Sequence, residues 1–455
     1  MPRKLFLAPA LAVLLALPAL AQTAAQAPKL PPLSLQDLHL DNGLRVILAP
    51  DHAAPVFGIC VTYNVGSRNE RPGRTGFAHL FEHMMFEGSQ NVGKGEHFIL
   101  VENNGGGING TTNEDRTNYF EVLPKNQLDL ALFLEADRMG HLAVNQPNLD
   151  NQRNAVQEER RLGIDNQPYG KSYLEIDNLS FDNFAYKHST IGSMRDLNAA
   201  DLKDVQEFFR IYYAPNNAVL TLVGDFDPAV ALEKVKKYFA AIPRQPTPPQ
   251  PDMTEDQHYG ERRETIYDPL ARLPMVLISY HTPPGNTPDN YALQVLGDIL
   301  GQGESSRFYQ HLVKEQQLAT SVDVQADARR GPSLFYVMAT PRPGVKPEDL
   351  EQAIYKEIAA VAKDGVTAAE MDKARTQYRR GMIQTRESDL RTAIRIGQYA
   401  VFFNDPELIN TIMDKYDSVS AEQVKAAAQK YLVTTERAVV TTLPEQQAGA
   451  SAGGR

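Results

Sequence analysis

Two histidines and a glutamate fall close together in the string His79-Leu80-Phe81-Glu82-His83. On a helix, residues four apart share a face, so His79 and His83 stand one turn above the other, with Glu82 at the edge of that face. Phe77, Leu80, Phe81, Met84 and Met85 recur at helical spacing and predict a helix over residues 75–88. An apolar helix with two imidazoles and a carboxylate on its narrow polar side needs a partner for them, because burying such groups unpaired is costly. A zinc ion is one such partner: two neutral imidazoles bind it, and a nearby carboxylate can take a proton from its water. An isolated histidine pair would read as ordinary surface or core residues. The full H-x-x-E-H string is rarer and is the inverse of the H-E-x-x-H zinc motif.

A further ligand has to come from elsewhere in the chain. The helix expected over residues 149–162 carries Leu149, Ala155, Val156 and Leu162 on one arc. Glu159 lies near the centre of that arc, an odd place for a carboxylate, which makes it the candidate third ligand. Glu158 lies beyond the arc and reads as solvated charge, and Gln152, two turns before Glu159, shares its face.

The elements that must position these groups come from a chain of 455 residues, 42% hydrophobic, long enough for more than one domain. Its net charge of −10 argues against a nucleic-acid partner. The single cysteine, Cys60, excludes an intrachain disulfide and sits in an apolar run as a small packed hydrophobe. Arg3 and Lys4 precede a short apolar stretch that ends in Ala19-Leu20-Ala21, the pattern of a secretory signal over residues 1–21. A flexible leader follows over 22–34. No later stretch has the length and apolarity of a membrane span. An exported protein, most simply periplasmic, is expected.

Residues 38–48 read as a hairpin turning at Asp41-Asn42-Gly43, and 56–65 as a strongly apolar strand. After a further helix, Gly105-Gly106-Gly107 leads into Ile108-Asn109-Gly110-Thr111-Thr112 and then a strand over 117–123. These glycines are no phosphate loop, since no Lys-Ser/Thr follows; they suggest close backbone approach or an edge strand that something else pairs with. Helices are expected over 128–139, 202–212 and 228–241, with a break at Pro147. A proline-rich, charged stretch beginning at Pro243 is the best linker. Residues 202–224 and 421–444 repeat one pattern of helix, short turn and apolar strand, and an apolar strand, polar loop and helix open each half, so two related halves are expected. In the second, Asp298 and Gly301 stand where a metal helix would need histidines.

With these residues in hand, the chain resembles the pitrilysin/insulysin superfamily of zinc peptidases, most closely the short-chain branch that includes the mitochondrial processing peptidase. The resemblance runs over about residues 35–440. It rests on His79–His83, on Arg153-Asn154-Ala155-Val156-Gln157-Glu158-Glu159, on Gly106–Thr112, and on Gly303–Arg307 and Leu318–Val322. It implies an α+β fold of two homologous α/β halves, each a mainly antiparallel sheet with helices packed on it, facing each other around a chamber. The implied division is a catalytic zinc-binding half over 35–242, a linker over 243–262, a non-metal half over 263–444 and a disordered tail over 445–455.

The resemblance also implies an activity: a zinc metalloendopeptidase acting on extended peptides or unfolded chains. One Zn2+ per chain would be held by His79, His83 and Glu159, with Glu82 as general base and then as acid. Peptides would add as a strand beside Gly107, Asn109 and Gly110. Two departures stand out. Gln152 replaces a common Glu, so it can orient a ligand but brings no charge. The substrate-gripping Arg and Tyr of the second half are replaced by Val313 and Thr320. A heterodimer with a homologous exported chain carrying that pair would fill the gap. The rival reading is a non-catalytic or weakly active peptide-binding scaffold subunit. A metal-storage role fits less well, because a base stands beside an open coordination position.

Overall fold

Most strands in this chain are apolar on both sides, and both sides find cover. The computed structural model describes residues 30–256 and 260–445, which form two sheets. The first contains β1 (Gln36–His39), β2 (Arg45–Pro50), β3 (Val56–Tyr63), β4 (Gly107–Thr112), β5 (Thr117–Pro124) and β6 (Ala218–Gly224), in the order β1-β2-β6-β3-β5-β4. The second contains β7 (Glu261–Asp268), β8 (Met275–Thr282), β9 (Ala319–Ala326), β10 (Ser333–Pro341) and β11 (Arg437–Pro444), in the order β7-β11-β8-β10-β9. The β2–β6 and β7–β11 pairs are parallel and the rest antiparallel. With β1 set aside, the two sheets correspond strand for strand, the duplication that the repeated helix–turn–strand pattern predicts. The opening hairpin forms as expected, with Gln36 opposite Leu48.

The helices that matter for the site are α1 (Phe77–Met84), α2 (Glu96–Asn103), α3 (Leu128–His141), α4 (Gln146–Arg160), α5 (Gly170–Ser180) and α6 (Leu202–Tyr212). Their counterparts in the second half are α7 (Pro288–Gly301), α8 (Pro347–Asp364), α9 (Ala368–Arg386), α10 (Asp389–Phe403) and α11 (Ala421–Tyr431). α5 and α10 occupy matching places in the two halves, yet each packs on the other half's sheet. Along β3, Phe57, Ile59 and Val61 join the core formed with α1, α3 and α6. Cys60, on the opposite face with Ile47, Val219 and Val223, joins Ala393, Ile396 and Ala400 of α10. Reciprocally, Ile176 of α5 packs with Met275, Leu277, Ala438 and Val440 of the second sheet. Each such large side chain contributes about 1.5–3 kcal/mol when removed from water, so the exchanged helices join the halves through their cores. Cys60 is fully buried, and burial pushes its thiol up to about 12, as befits a packed hydrophobe.

The linker stretch from Pro243 to Asp256 forms no helix or strand, but it is tied down: Glu255 accepts the backbone N–H groups of Asp182 and Asn183. The segments expected as signal (1–21), most of the leader (22–34) and the tail beyond 445 lie outside the described residues. Among the described residues, no helix is long and apolar enough to cross a membrane.

Two helices differ from the sequence expectation. α1 begins later because Gly76, at φ 90°, sets the chain in the left-handed region just before it. α4 begins earlier: Asn145 caps it by accepting the Asn148 N–H at 3.0 Å, and Pro147 lies inside the first turn, where its missing N–H costs no helical bond. α4 then runs into a wider π turn over Arg161–Asp165, which leaves Leu162 58% exposed.

Candidate active site

The chemistry-bearing residues meet where α1 packs against α4 and the edge strand β4. Glu159 Oε2 lies 3.6 Å from His79 Nε2 and 3.2 Å from His83 Nε2, and the ligand atoms of all three residues fall within 4.8 Å of one another. His83 Nδ1 is 3.2 Å from Gln152 Oε1, so Nδ1 carries the donated hydrogen and Nε2 is the ring nitrogen that faces Glu159. Gln152 is held in turn by donating to Glu87 Oε1 at 2.6 Å, and Lys94 pairs with Glu87 Oε2 at 2.6 Å.

The electrostatics favour neutral imidazole at His79, whose pKa is pushed down to about 4 by burial and by the neighbouring His83. Burial also opposes a charge on His83, but the hydrogen bond and charge of Glu159, with Glu82 and Gln152, together outweigh this and raise its pKa. Glu159 is lowered by the same bond. Burial raises the pKa of Glu82, with Thr112 and His83 working against it, and Glu82 Oε2 is buried without a hydrogen-bond partner. Arg116 stands nearby and donates to Thr111 O at 2.7 Å and Thr111 Oγ1 at 2.6 Å. Two imidazole nitrogens, one carboxylate oxygen and a buried carboxyl with one open oxygen beside them fit a tetrahedral zinc with one open position.

The helical-arc argument requires a correction. Leu149 and Val156 are buried, but Ala155, Glu159 and Leu162 are exposed, and the Glu159 side chain is 49% accessible. Glu159 therefore reaches the histidines from the rim of a cleft rather than from a buried arc. Glu158 is on the open side and pairs with Arg161 at 3.0 Å.

β4 is an edge strand, paired only with β5 among the described residues, with Gly107 opposite Val122 and Gly110 opposite Tyr119. Asn109 is exposed, and its Oδ1 accepts the Gly110 N–H at 2.8 Å. Gly110 has a further part that spacing did not reveal. A Cβ there would lie 3.1 Å from Glu82 Cγ and 3.2 Å from Tyr119 Cδ1, so the bare backbone leaves the room that Glu82 occupies.

Comparison with known proteins places the chain in a family. Residues 45–180 match the family profile described as insulinase (peptidase family M16), and residues 199–378 match the profile described as peptidase M16 inactive domain. Zinc protease PqqE of Helicobacter pylori is 31% identical over 412 residues, covering 90% of this chain and 93% of that protein. The chain belongs to the insulinase family of peptidases, M16. The crystal structure of a protease from Helicobacter pylori superposes with a TM-score of 0.86 at 30% identity, covering 90% of this chain and all (100%) of that one. The periplasmic protease PqqL of Escherichia coli shares the fold alone, at 19% identity and a TM-score of 0.75, with this chain spanning 49% of it.

Within this M16 chain, sequence reasoning missed a second polar cluster behind β4. His97 Nε2 lies 2.7 Å from Glu121 Oε1, and Glu135 forms a two-pronged pair with Arg138, all of them buried. The signal was available, since Glu121 alternates with Thr117, Tyr119 and Leu123 on the inward side of β5. In the second half, Val313 is buried, and the Thr320 hydroxyl donates to Thr340 O at 3.1 Å.

Proposed function

We propose that this chain is a zinc metallopeptidase that hydrolyses peptide bonds in extended peptides or unfolded chains. His79, His83 and Glu159 would hold the metal, which supplies a Lewis acid able to activate water and polarise a carbonyl. Glu82 accepts the proton of the attacking water and returns it to the leaving amine, a task suited to a carboxyl whose pKa burial has raised. Gln152 fixes the ring of His83 and the tautomer that leaves Nε2 free. The open side of β4, near Gly107, Asn109 and Gly110, offers backbone groups to an extended peptide, a mode that tolerates many sequences. The observation that carries the reading is the convergence of three ligand atoms beside the buried carboxyl of Glu82, whose Oε2 has no hydrogen-bond partner. The secretory pattern at the N-terminus, with a periplasmic protease among the proteins of like fold, supports export.

The test is metal content and hydrolysis of an unfolded peptide, measured on the purified chain and on Glu82→Gln. The reading expects about one zinc per chain in both and turnover only in the parent. A chain that takes up no zinc, or a Glu82→Gln variant that turns over normally, would overturn it.

Partnership is a second element of the proposal. Val313 and Thr320 offer no free donor to substrate, so a homologous chain with Arg and Tyr at those places would complete the site. Such donors contribute on the order of 3 kcal/mol where charge develops. Full turnover by the chain alone, unchanged when such a partner is added, rules this out and leaves the metal assignment intact. A chain that binds zinc yet stays inactive with every partner would favour the scaffold role.

A further inference from the structure

One buried carboxylate beside the histidines has no part in the chemistry described so far. Glu87 is 7% exposed and lies four residues beyond His83, which itself lies four beyond His79. α1 ends at Met84, but the Phe86 N–H donates to His83 O and the Glu87 N–H to Met84 O, each at 3.1 Å. One tighter turn thus keeps Glu87 on the side of the helix that carries the histidines.

Gln152 bridges His83 to Glu87. Its Oε1 faces His83 Nδ1 at 3.2 Å, while its Nε2 donates to Glu87 Oε1 at 2.6 Å and to Asn151 Oδ1 at 2.9 Å. One cation holds both acceptors: Lys94 Nζ lies 2.6 Å from Glu87 Oε2 and 3.0 Å from Asn151 Oδ1. A side-chain amide fits its place either way round, and its neighbours decide which way it lies. Turned over, the Gln152 carbonyl would face two oxygens, one of them charged, and its NH2 would face His83. The ring hydrogen of His83 would then belong on Nε2, the nitrogen that faces Glu159 and the metal position. The far end of Gln152 therefore decides which nitrogen of His83 is free to bind.

We propose that Glu87 is a positioning residue for His83: it fixes the Gln152 amide, and through it the Nδ1–H form of the ring, and it supplies the negative charge that Gln152 lacks. A ring N–H donated toward a carboxylate orients a ligating histidine and makes it more basic; here an amide relays the carboxylate from one residue further out. Lys94 does not cancel that charge, because its side chain is 53% exposed and screened by water, whereas Glu87 is buried. The consequence for zinc rests on the metal reading proposed above; the tautomer is a property of the protein without metal.

Two measurements test this. The first needs no zinc. Nitrogen-15 NMR of protein labelled at its 10 histidines reports the tautomer of each ring at alkaline pH, where imidazoles are neutral, and His83→Ala assigns the signal. It uses metal-free Glu159→Ala protein, so that no carboxylate competes for Nε2. His83 should carry its hydrogen on Nδ1, and adding Glu87→Leu should move part of it to Nε2. The second is zinc affinity, by competition with a chelator, for the full-length parent, Glu87→Gln, Gln152→Glu and the double variant. Glu87→Gln should loosen zinc by about tenfold. Gln152→Glu sets two carboxylates at hydrogen-bond distance, and in that background Glu87→Gln should tighten zinc, because it removes their repulsion. A carboxylate that merely supports the fold would weaken zinc in both backgrounds, and unfolding temperatures of the four forms report that loss separately. Parent-like zinc affinity in Glu87→Gln, the same sign in both backgrounds, or a His83 tautomer that ignores Glu87→Leu would each overturn the proposal. A tautomer that responds to Glu87→Leu in a chain that takes up no zinc would support it and overturn the metal reading alone.

Discussion

Replacing Glu121 with glutamine should make the protein more stable above neutral pH. The cluster behind β4 contains two carboxylates, Glu121 and Glu135, but one guanidinium, Arg138, and all three are at most 1% exposed. Glu135 spends both oxygens on Arg138, whose guanidinium also stacks 4.4 Å from the Tyr119 ring centre. Glu121 is left with His97, which burial pushes down to about 3 and so keeps neutral, and with a hydrogen bond to Glu135, whose own carboxyl burial and the Glu121 charge push up to about 7. Burial in turn pushes Glu121 up to about 7, from an ordinary value of 4.5. The cluster is thus completed by a proton.

The sign follows. Below pH 4.5 the folded and unfolded chains both hold this proton. Between 4.5 and about 7 only the folded chain holds it, so stability is highest on the acid side and falls as pH rises through that window. At about 1.4 kcal/mol per pH unit, the window is worth about 3.5 kcal/mol at most. His97 contributes a slope of opposite sign in parent and variant alike and cancels in their comparison. Glutamine stays neutral and can still accept from His97 Nε2. Glu121→Gln should therefore flatten the fall between pH 5 and 7 and, at pH 8, exceed the parent by roughly 2–3 kcal/mol. Urea unfolding at pH 5, 6, 7 and 8, followed by circular dichroism, measures this. Parallel pH profiles, or a Glu121→Gln protein that is less stable at pH 8, would refute the charge accounting.

The other expectations concern the site. Glu159→Gln or His83→Ala should lower zinc content and turnover together, whereas Glu82→Gln should keep zinc and lose at least about 100-fold in kcat, as loss of a proton acceptor does; elemental analysis beside peptide hydrolysis separates them. Glu158→Gln should be neutral in both assays, because its side chain faces solvent and pairs with Arg161; a large loss of metal there would reverse the assignment on α4. Gly110→Ala should cut kcat without removing zinc, since the added Cβ presses on Glu82 Cγ; unchanged kinetics would mean that β4 yields freely. Gln152→Ala should loosen zinc by about tenfold, by freeing the ring of His83, which competition with a chelator would measure.

Much of this protein could be read from its sequence because the signals are local. The four-residue step from His79 to His83 fixes their shared face on any helix, and the paired patterns at 202–224 and 421–444 announce the duplicated sheets. Period and spacing are properties of the chain itself. Other features depend on residues far apart in the chain. Glu159 was chosen for a buried arc, yet it is half exposed and meets the histidines only because α4 crosses α1 at a cleft. The exchange of α5 and α10 between sheets leaves no periodic mark, since an apolar helix face is the same whichever sheet covers it. Gly110 read as backbone for a substrate, and only packing showed that its missing side chain makes room for Glu82.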